Sequence, residues 1–232
     1  MSVTTLFPTL AGKTFARVNI DRESDAWIKD YEKKHGESPR SPLLDPMLCQ
    51  QFLEEVHRKR GVYWSYGGYL EDRSCIWRGS YLQKSGGFIH LGVDFNVPQG
   101  TPVYTQYDAS VMVVDNDGDL DGGWGHRIFL RPNLPMDESQ FPASVFIYAH
   151  LQNVVVEPGS RIKAGTVLAE VGGPPHNGNW APHLHVQALR YDNFARILTE
   201  EFEDLDGYGH SDHLAELAHV FPNPLPAMGI SD

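Results

Sequence analysis

The chain has 232 residues, enough for one substantial hydrophobic core or for one domain with sizeable extensions. Its hydrophobic content of 41% and charged content of 21% are ordinary for a globular protein. The formal net charge of −11 at pH 7 argues against a nucleic-acid partner and against docking on membranes or other anionic polymers.

Targeting and redox signals are sparse in the sequence. The N-terminal stretch MSVTTLFPTLAGKTF has no basic cluster followed by a continuous apolar run, so it does not resemble a signal peptide. No apolar stretch in the sequence is long enough to span a bilayer. The only two cysteines, Cys49 and Cys75, lack a metal-binding spacing and are expected to be reduced thiols. From these absences we expect a cytoplasmic protein.

Residues 1–63 are predicted to form a helical N-terminal extension. Apolar residues recur at helical spacing over residues 22–36 and again over residues 41–61. Each of these segments stops at a glycine, which is a common helix end. The charges between the apolar positions fit a solvated helix face.

Residues 64–190 change to the pattern of a β-rich domain. Aromatic residues and glycines come first, and β-branched residues then alternate with turn sequences such as NVPQGT, DNDGDLDGG and EPGSRIKAG. This pattern predicts a mainly β, mostly antiparallel domain. Residues 191–232 predict a helical C-terminal extension, with short helices in NFARILTEEFEDL and SDHLAELAHVF before a tail. The whole chain is therefore predicted to be α+β around a mainly β core.

The segment WAPHLHVQ, residues 180–187, carries two histidines separated by one leucine. Residues two apart in a β-strand share a face, so His183 and His185 would stand side by side. Such a pair is either an accident of an exposed strand or half of a metal or catalytic site. Further candidate ligands or catalytic residues elsewhere in the chain would favour the second interpretation.

Two upstream segments supply candidate partners. GGFIHLGVDF contains His90 and Asp94, which cannot both face one way on a regular strand. A bend at Gly92 would bring the two side chains to a common point. FIYAHLQN places His150 on an apolar strand, where an unpaired imidazole is costly to bury.

The motifs HLGVD, YAHL and PHLHVQ, in this order, resemble those of the lysostaphin-like (LytM-type) zinc metallopeptidase family. The connecting segments DFNVPQGTPVY, GGWGHRIFL and VEPGSRIKAGTVLAEVG agree with the same family. The resemblance covers residues 88–190 and implies the family's antiparallel β-sheet or barrel-sandwich core. It also implies one zinc ion with an open position for water, as catalytic zinc requires. The implied zinc ligands are His90, Asp94 and His185.

The resemblance implies catalytic roles for His150 and His183 beside the metal. One would handle the proton of the attacking water, and the other would stabilise the developing oxyanion. Tyr81, shortly before the first ligand, is a candidate for a further hydrogen bond to the oxyanion. Other tyrosines are also near in the sequence, at Tyr63, Tyr66 and Tyr69.

The implied activity is hydrolysis of peptide bonds, with peptides derived from peptidoglycan as the expected substrate. Two alternatives stay open. One is a cytosolic amide hydrolase for a small substrate from outside the cell wall, favoured by the acidic charge and the missing signal peptide. The other is a non-catalytic binding or regulatory member of the family. The terminal segments are candidates for a lid or for a homodimer interface.

Overall fold

The computed structural model describes residues 5–38, 41, 44–78, 86–133, 144–194 and 205–230. Most of its strands belong to one ten-stranded sheet, and two short strands form a second sheet. The twelve strands are β1 Phe15–Arg17, β2 Trp64–Gly67, β3 Ile89–His90, β4 Val93–Asn96, β5 Pro102–Tyr104, β6 Ala109–Asn116, β7 His126–Pro132, β8 Ser144–Gln152, β9 Arg161–Ile162, β10 Val167–Val171, β11 Leu184–Arg190 and β12 Tyr208–Gly209. Three α-helices lie wholly within the described residues: α1 Ile20–His35, α2 Pro46–Arg60 and α3 Leu214–Val220. Residues 191–194 are also helical.

The large sheet follows the order β1-β2-β4-β11-β8-β7-β6-β9, with β10 pairing with both β5 and β8. Its pairs are antiparallel except for β1 with β2, which are parallel. Within the described residues the strand path does not close into a barrel. The fold is mainly β, as the sequence predicts.

The central strands β8 and β11 divide their side chains between the core and the site. Every residue of β8 except its last is buried, which suits a strand that has neighbours on both sides. On β11, Leu184, Val186 and Ala188 enter the main hydrophobic core. The alternation of a strand therefore turns His185 and Gln187 to the opposite face. This agrees with the face predicted for His185, whereas His183 immediately precedes β11.

Both predicted N-terminal helices are present, and both end at the predicted glycines. Gly36 and Gly61 adopt left-handed conformations with φ of 77° and 66°, which glycine accepts readily. Helix α2 begins at Pro46 rather than at residue 41. The Asp45 side chain accepts hydrogen bonds from the backbone N–H groups of Met47 and Leu48, and this cap sets the start of the helix.

Helix α2 buries one face against α1 and the segment after β2. Its buried residues are Cys49, Phe52, Leu53 and Val56. They share a cluster with Trp27 of α1 and with Ile76 and Trp77. Full burial of a side chain such as Phe52 contributes about 1.5–3 kcal/mol, so this face anchors the helix beside the sheet.

The ends of the described chain join the core of the large sheet. Leu6 and Phe7 pack in the same cluster as Leu225 and Met228. Strand β1 lies inside the segment predicted to be helical, where Phe15 stacks on Trp64 with ring centroids 4.5 Å apart. The division of the chain at residues 63 and 190 stays a prediction.

Part of the predicted C-terminal helices can be located. Helix α3 falls within the predicted helix over residues 211–221, after a short 3-10 turn over Ser211–His213. The other predicted helix, over residues 193–205, lies mostly outside the described residues. None of the helices in the described part of the chain has the length and apolar character needed to cross a membrane.

Replacing Asp45 tests the cap of helix α2. We expect Asp45→Ala to lower the free energy of unfolding by about 1 kcal/mol, because two backbone donors lose their acceptor. Urea unfolding of parent and variant measures this loss. Asp45→Asn is the matched control and retains most of the stability, because asparagine also caps helices. An unchanged midpoint for Asp45→Ala would contradict the role of the cap.

Candidate metal centre

Three predicted ligands, one each from β3, β4 and β11, converge on one point. His185 Nδ1 lies 3.0 Å from Asp94 Oδ1, and His90 Nε2 lies 3.4 Å from the same oxygen. The two ring nitrogens are 3.1 Å apart. All three side chains are buried. These residues form a group that could hold a metal ion.

The second nitrogen of each ligand ring fixes which nitrogen faces this point. His90 Nδ1 donates a hydrogen bond to the backbone carbonyl of Gly68 at 3.0 Å, because a carbonyl can only accept. His185 Nε2 donates to Gln187 Oε1 at 3.1 Å. The Gln187 amide nitrogen donates in turn to the carbonyl of Asp206, which orients the amide. In the neutral tautomers so defined, His90 Nε2 and His185 Nδ1 carry no proton.

Three lone-pair donors therefore face one another in a buried space. Burial lowers the pKa of His90 to about 3, with Arg73 adding to the effect, so this ring is neutral at physiological pH. Burial by itself raises the pKa of Asp94, but the neighbouring His90 and Arg73 outweigh burial and hold that pKa well below its ordinary value. An arrangement of this kind requires positive charge between the donors, from a metal ion or a proton.

The donor set and its spacing fit zinc. Two imidazole nitrogens and one carboxylate oxygen are ligands that catalytic zinc sites use. Ligand atoms about 2.0–2.1 Å from a tetrahedral zinc ion lie roughly 3.3 Å from one another. The three distances observed here, 3.0, 3.1 and 3.4 Å, are close to that value.

The register of the strands explains how the three ligands meet. His185 on β11 is paired directly with Asp94 on the antiparallel neighbour β4. The chain breaks its strand conformation between β3 and β4, as expected for a bend at Gly92. A Cβ atom on Gly92 would lie 2.5 Å from both Cε1 and Nε2 of His185, so only glycine leaves room for this ring.

The other two predicted residues lie beside the three ligands. His183 Nε2 is 3.7 Å from Asp94 Oδ1, and the rings of His150 and His183 have centroids 4.5 Å apart. His183 Nδ1 donates to the Ala181 carbonyl at 2.8 Å, and His150 Nδ1 donates to the Asn177 carbonyl at 2.9 Å. In their neutral forms, both rings therefore keep a proton-free Nε2.

His150 has an unusual backbone conformation with φ of 62°. Residues other than glycine rarely adopt this left-handed region, and it costs of order 1 kcal/mol. Hydrogen bonds hold the backbone on both sides of the residue: its N–H donates to the Trp124 carbonyl, and its carbonyl accepts from Gly172. The local strain thus coincides with a residue that borders the candidate metal centre.

A cavity of about 410 Å³ opens on the five residues. The indole rings of Trp124 and Trp180 line it, and Trp124 lies edge-on to the His185 ring at 5.4 Å. Phe52 and Leu53 of α2 border the cavity, as does the segment over residues 206–210. Segments from both ends of the chain therefore contribute to its walls.

Several residues around the centre were not predicted from the sequence. Arg73 and Tyr208 line the cavity, and Gln187 orients the His185 ring. Gln187 could have been found, because it follows His185 by two positions on the same strand face. Arg73, within EDRSC, belongs to no recognisable motif.

Of the tyrosines near the first ligand in sequence, the three that the structure describes do not line the cavity. Tyr63 is 47% exposed, Tyr66 packs in the main core, and Tyr69 donates to the Phe221 carbonyl. Tyr81 lies outside the described residues.

The fold and the site define a β-sheet protein with a buried two-histidine, one-aspartate candidate metal centre. Residues 88–195, slightly under half of the chain, match the model of Peptidase family M23, which confirms the resemblance to lysostaphin-like peptidases over this region. The matched region contains all five predicted site residues.

Individual relatives match the same part of the chain. An uncharacterized metalloprotease of Haemophilus influenzae is 33% identical over 98 residues, covering 42% of this chain and 18% of that protein. The glycyl-glycine endopeptidase ALE-1 of Staphylococcus capitis is 32% identical over 111 residues, covering 48% of this chain and 27% of that protein. The chain thus spans less than a third of the length of these relatives. The structure of the antimicrobial peptidase lysostaphin from Staphylococcus simulans aligns with a TM-score of 0.40 at 22% identity, covering 60% of this chain and 44% of that one.

Substituting Gly92 tests the close approach of its backbone to the His185 ring. We expect Gly92→Ala to destabilise the fold by about 1–3 kcal/mol and to weaken metal binding, because the new methyl group also lies 2.8 Å from the Val186 carbonyl. Thermal unfolding and zinc titration measure the two effects. Gly118→Ala is the control, since its Cβ would meet no atom within 4 Å. Parent-like zinc binding by Gly92→Ala would contradict this account.

Proposed function

We propose that the protein is a zinc-dependent peptidase that hydrolyses amide bonds in peptides derived from peptidoglycan. His90, Asp94 and His185 would hold the zinc ion, and His150 and His183 would assist the reaction. The observation that carries the proposal is the meeting of three side chains that could hold a metal ion with two further imidazoles in one cavity. The match of residues 88–195 to the model of a peptidase family supports the same conclusion.

A zinc ion held by these three residues would lower the pKa of a bound water molecule and polarise the carbonyl of a substrate. The three protein ligands leave a further coordination position open. Gly68 and Gln187 keep the two ligand rings in the tautomers that the metal needs.

His183 is the better placed of the two histidines to accept a proton. Burial lowers its pKa, so the ring is neutral and its Nε2 can act as a base at physiological pH. The charge of Asp94, 3.7 Å away, opposes the effect of burial and stabilises the protonated ring. After taking the proton of the attacking water, His183 can return it to the departing amine.

His150 is less able to accept a proton from water. Burial lowers its pKa well below the ordinary value, and His183 and His185 lower it further. Its Nδ1 is held by the Asn177 carbonyl, so its Nε2 has a fixed direction. We therefore assign proton transfer to His183 and place His150 beside the developing oxyanion, where its ring has a fixed direction and borders the cavity.

One relative supports the proposed substrate class. ALE-1, which is 32% identical over 111 residues, is a glycyl-glycine endopeptidase. A short peptide fits a cavity of about 410 Å³ whose walls include α2 and residues 206–210. Those same walls favour a second candidate function, hydrolysis of a small soluble amide rather than of intact wall. The cytoplasmic location and the homodimer through the terminal helices stay predictions.

Histidine substitutions test the proposed division of roles. We expect His185→Ala to lose zinc and activity together, because one of three metal ligands is gone. His183→Ala should retain zinc while kcat falls by about 10²–10⁴-fold, as removal of a proton acceptor predicts. The same result as for His183→Ala is expected of His150→Asn. Asparagine is chosen here because it tolerates the left-handed backbone at this position. Metal analysis and peptide-cleavage kinetics on each purified variant give the two readouts.

The matched control for these variants is His126→Ala. His126 is a half-buried histidine at the start of β7 and does not border the cavity. This variant should keep both zinc and activity. Equal loss of zinc in His183→Ala and His185→Ala would contradict the division of roles.

The substrate is tested by mass spectrometry of muropeptides and intact cell wall incubated with zinc-loaded protein. Cleavage of muropeptides by the parent but not by His183→Ala is the expected result. A chelator should abolish the cleavage, and added zinc should restore it. Zinc binding without cleavage of any muropeptide would contradict the substrate assignment.

A further inference from the structure

A buried arginine contacts the carboxylate of the candidate metal centre. Arg73 Nη2 donates to Asp94 Oδ2 at 2.7 Å, and the side chain of Arg73 is only 3% exposed. The backbone N–H of Arg73 donates to the Phe88 carbonyl, so the base of the side chain is also held in place. This contact involves the Asp94 oxygen that does not face the two histidines.

The two oxygens of Asp94 consequently have separate partners. Oδ1 lies 3.0 Å from His185 Nδ1 and 3.4 Å from His90 Nε2, whereas Oδ2 lies against the guanidinium. A charge-assisted hydrogen bond of 2.7 Å is short and strongly directional. It fixes the rotation of the carboxylate and leaves Oδ1 alone to bind a metal ion.

Tyr208 holds the guanidinium from the other side. Arg73 Nη1 donates to the Tyr208 hydroxyl at 3.1 Å. Tyr208 is paired with His90 between β12 and β3, and its ring lies 5.2 Å from the His90 ring. The Gly207 carbonyl also accepts a hydrogen bond from Leu91 N–H. One C-terminal segment thus contacts both a ligand histidine and the arginine that orients the ligand aspartate.

The geometry requires arginine rather than any cation. Its planar guanidinium directs separate N–H groups to Asp94 and Tyr208, while Glu71 Oε1 lies 3.8 Å from Nε. A lysine ammonium is a single point charge and cannot reproduce this fork. Glu71 also accepts from the N–H of Asp21 at the start of α1, which connects the helix to the same network.

We propose that Arg73 is a positioning residue of the metal centre and that Tyr208 holds it in place. Both residues lie outside residues 88–195, the region that matches the family model. The segments that carry Arg73 and Tyr208, on either side of that region, therefore both line the cavity and complete the metal centre. This inference rests on the proposed zinc site and concerns metal affinity rather than the choice of substrate.

Zinc affinity of the full-length chain tests the proposal. Metal-free parent, Arg73→Lys, Arg73→Met and Tyr208→Phe are titrated with zinc against a chromophoric chelator. We expect both Arg73 variants to bind zinc about 10–100-fold more weakly, as loss of a group that orients a ligand predicts. Tyr208→Phe keeps the ring beside His90 and should show a smaller loss in the same direction.

Arg127→Lys is the matched control for a general effect of losing a buried arginine. Arg127 forms a two-point contact with Asp115, at 2.9 and 2.7 Å, and its guanidinium lies over the Trp124 ring, but Arg127 does not line the cavity. The zinc affinity of the Arg127→Lys protein should stay within about two-fold of that of the parent. The unfolding midpoint of each metal-free variant is measured in parallel, so that weaker binding is compared only between folded proteins. If Arg73→Met does not fold, Arg73→Lys and Tyr208→Phe decide the question.

The outcomes separate this inference from the proposed function. Folded Arg73→Lys and Tyr208→Phe proteins that bind zinc as tightly as the parent would overturn the inference alone. Weaker zinc binding by these variants, with no cleavage of peptides by the parent, would support the inference and contradict the peptidase proposal. A parent that binds no zinc would overturn both.

Discussion

The site depends on one physical constraint, which is that two imidazole nitrogens and a carboxylate oxygen face one another in a buried space and need positive charge between them. Burial makes this arrangement unfavourable by itself, because each donor has lost its water. The surrounding groups hold the donors in position: Gly68 and Gln187 accept from the outer ring nitrogens, and Arg73 donates to the outer carboxylate oxygen. The lone pairs of the three donor atoms repel one another, and a cation at the centre would attract all three.

The rest of the fold can be understood as support for that arrangement. The antiparallel pairing of β4 with β11 sets Asp94 opposite His185, and the strand on the other side of β11 carries His150. The bend at Gly92 returns His90 to the same point. Helices α1 and α2 pack beside the segment that carries Arg73, and β12 pairs with the strand that carries His90. Flanking segments and the β domain are thus physically connected at the site.

The sequence was sufficient to predict residues whose positions follow from local rules. The alternation of side chains in a strand predicted the face of β11 that carries His185, and glycines predicted the ends of both N-terminal helices. The order of three motifs predicted that distant histidines would meet. Arg73 and Tyr208 could not be predicted in this way, because their contact joins positions 135 residues apart through tertiary structure. Strand β1 was missed because a three-residue strand has too few positions to show an alternation.

The most direct test of the account is a crystal structure of the zinc-loaded protein with anomalous diffraction recorded on both sides of the zinc absorption edge. The account predicts one strong peak bound by His90 Nε2, Asp94 Oδ1 and His185 Nδ1, with Asp94 Oδ2 still on Arg73. A peak at other side chains would contradict the account. So would a ring of His185 turned to bind through Nε2, because the tautomer set by Gln187 would then be wrong.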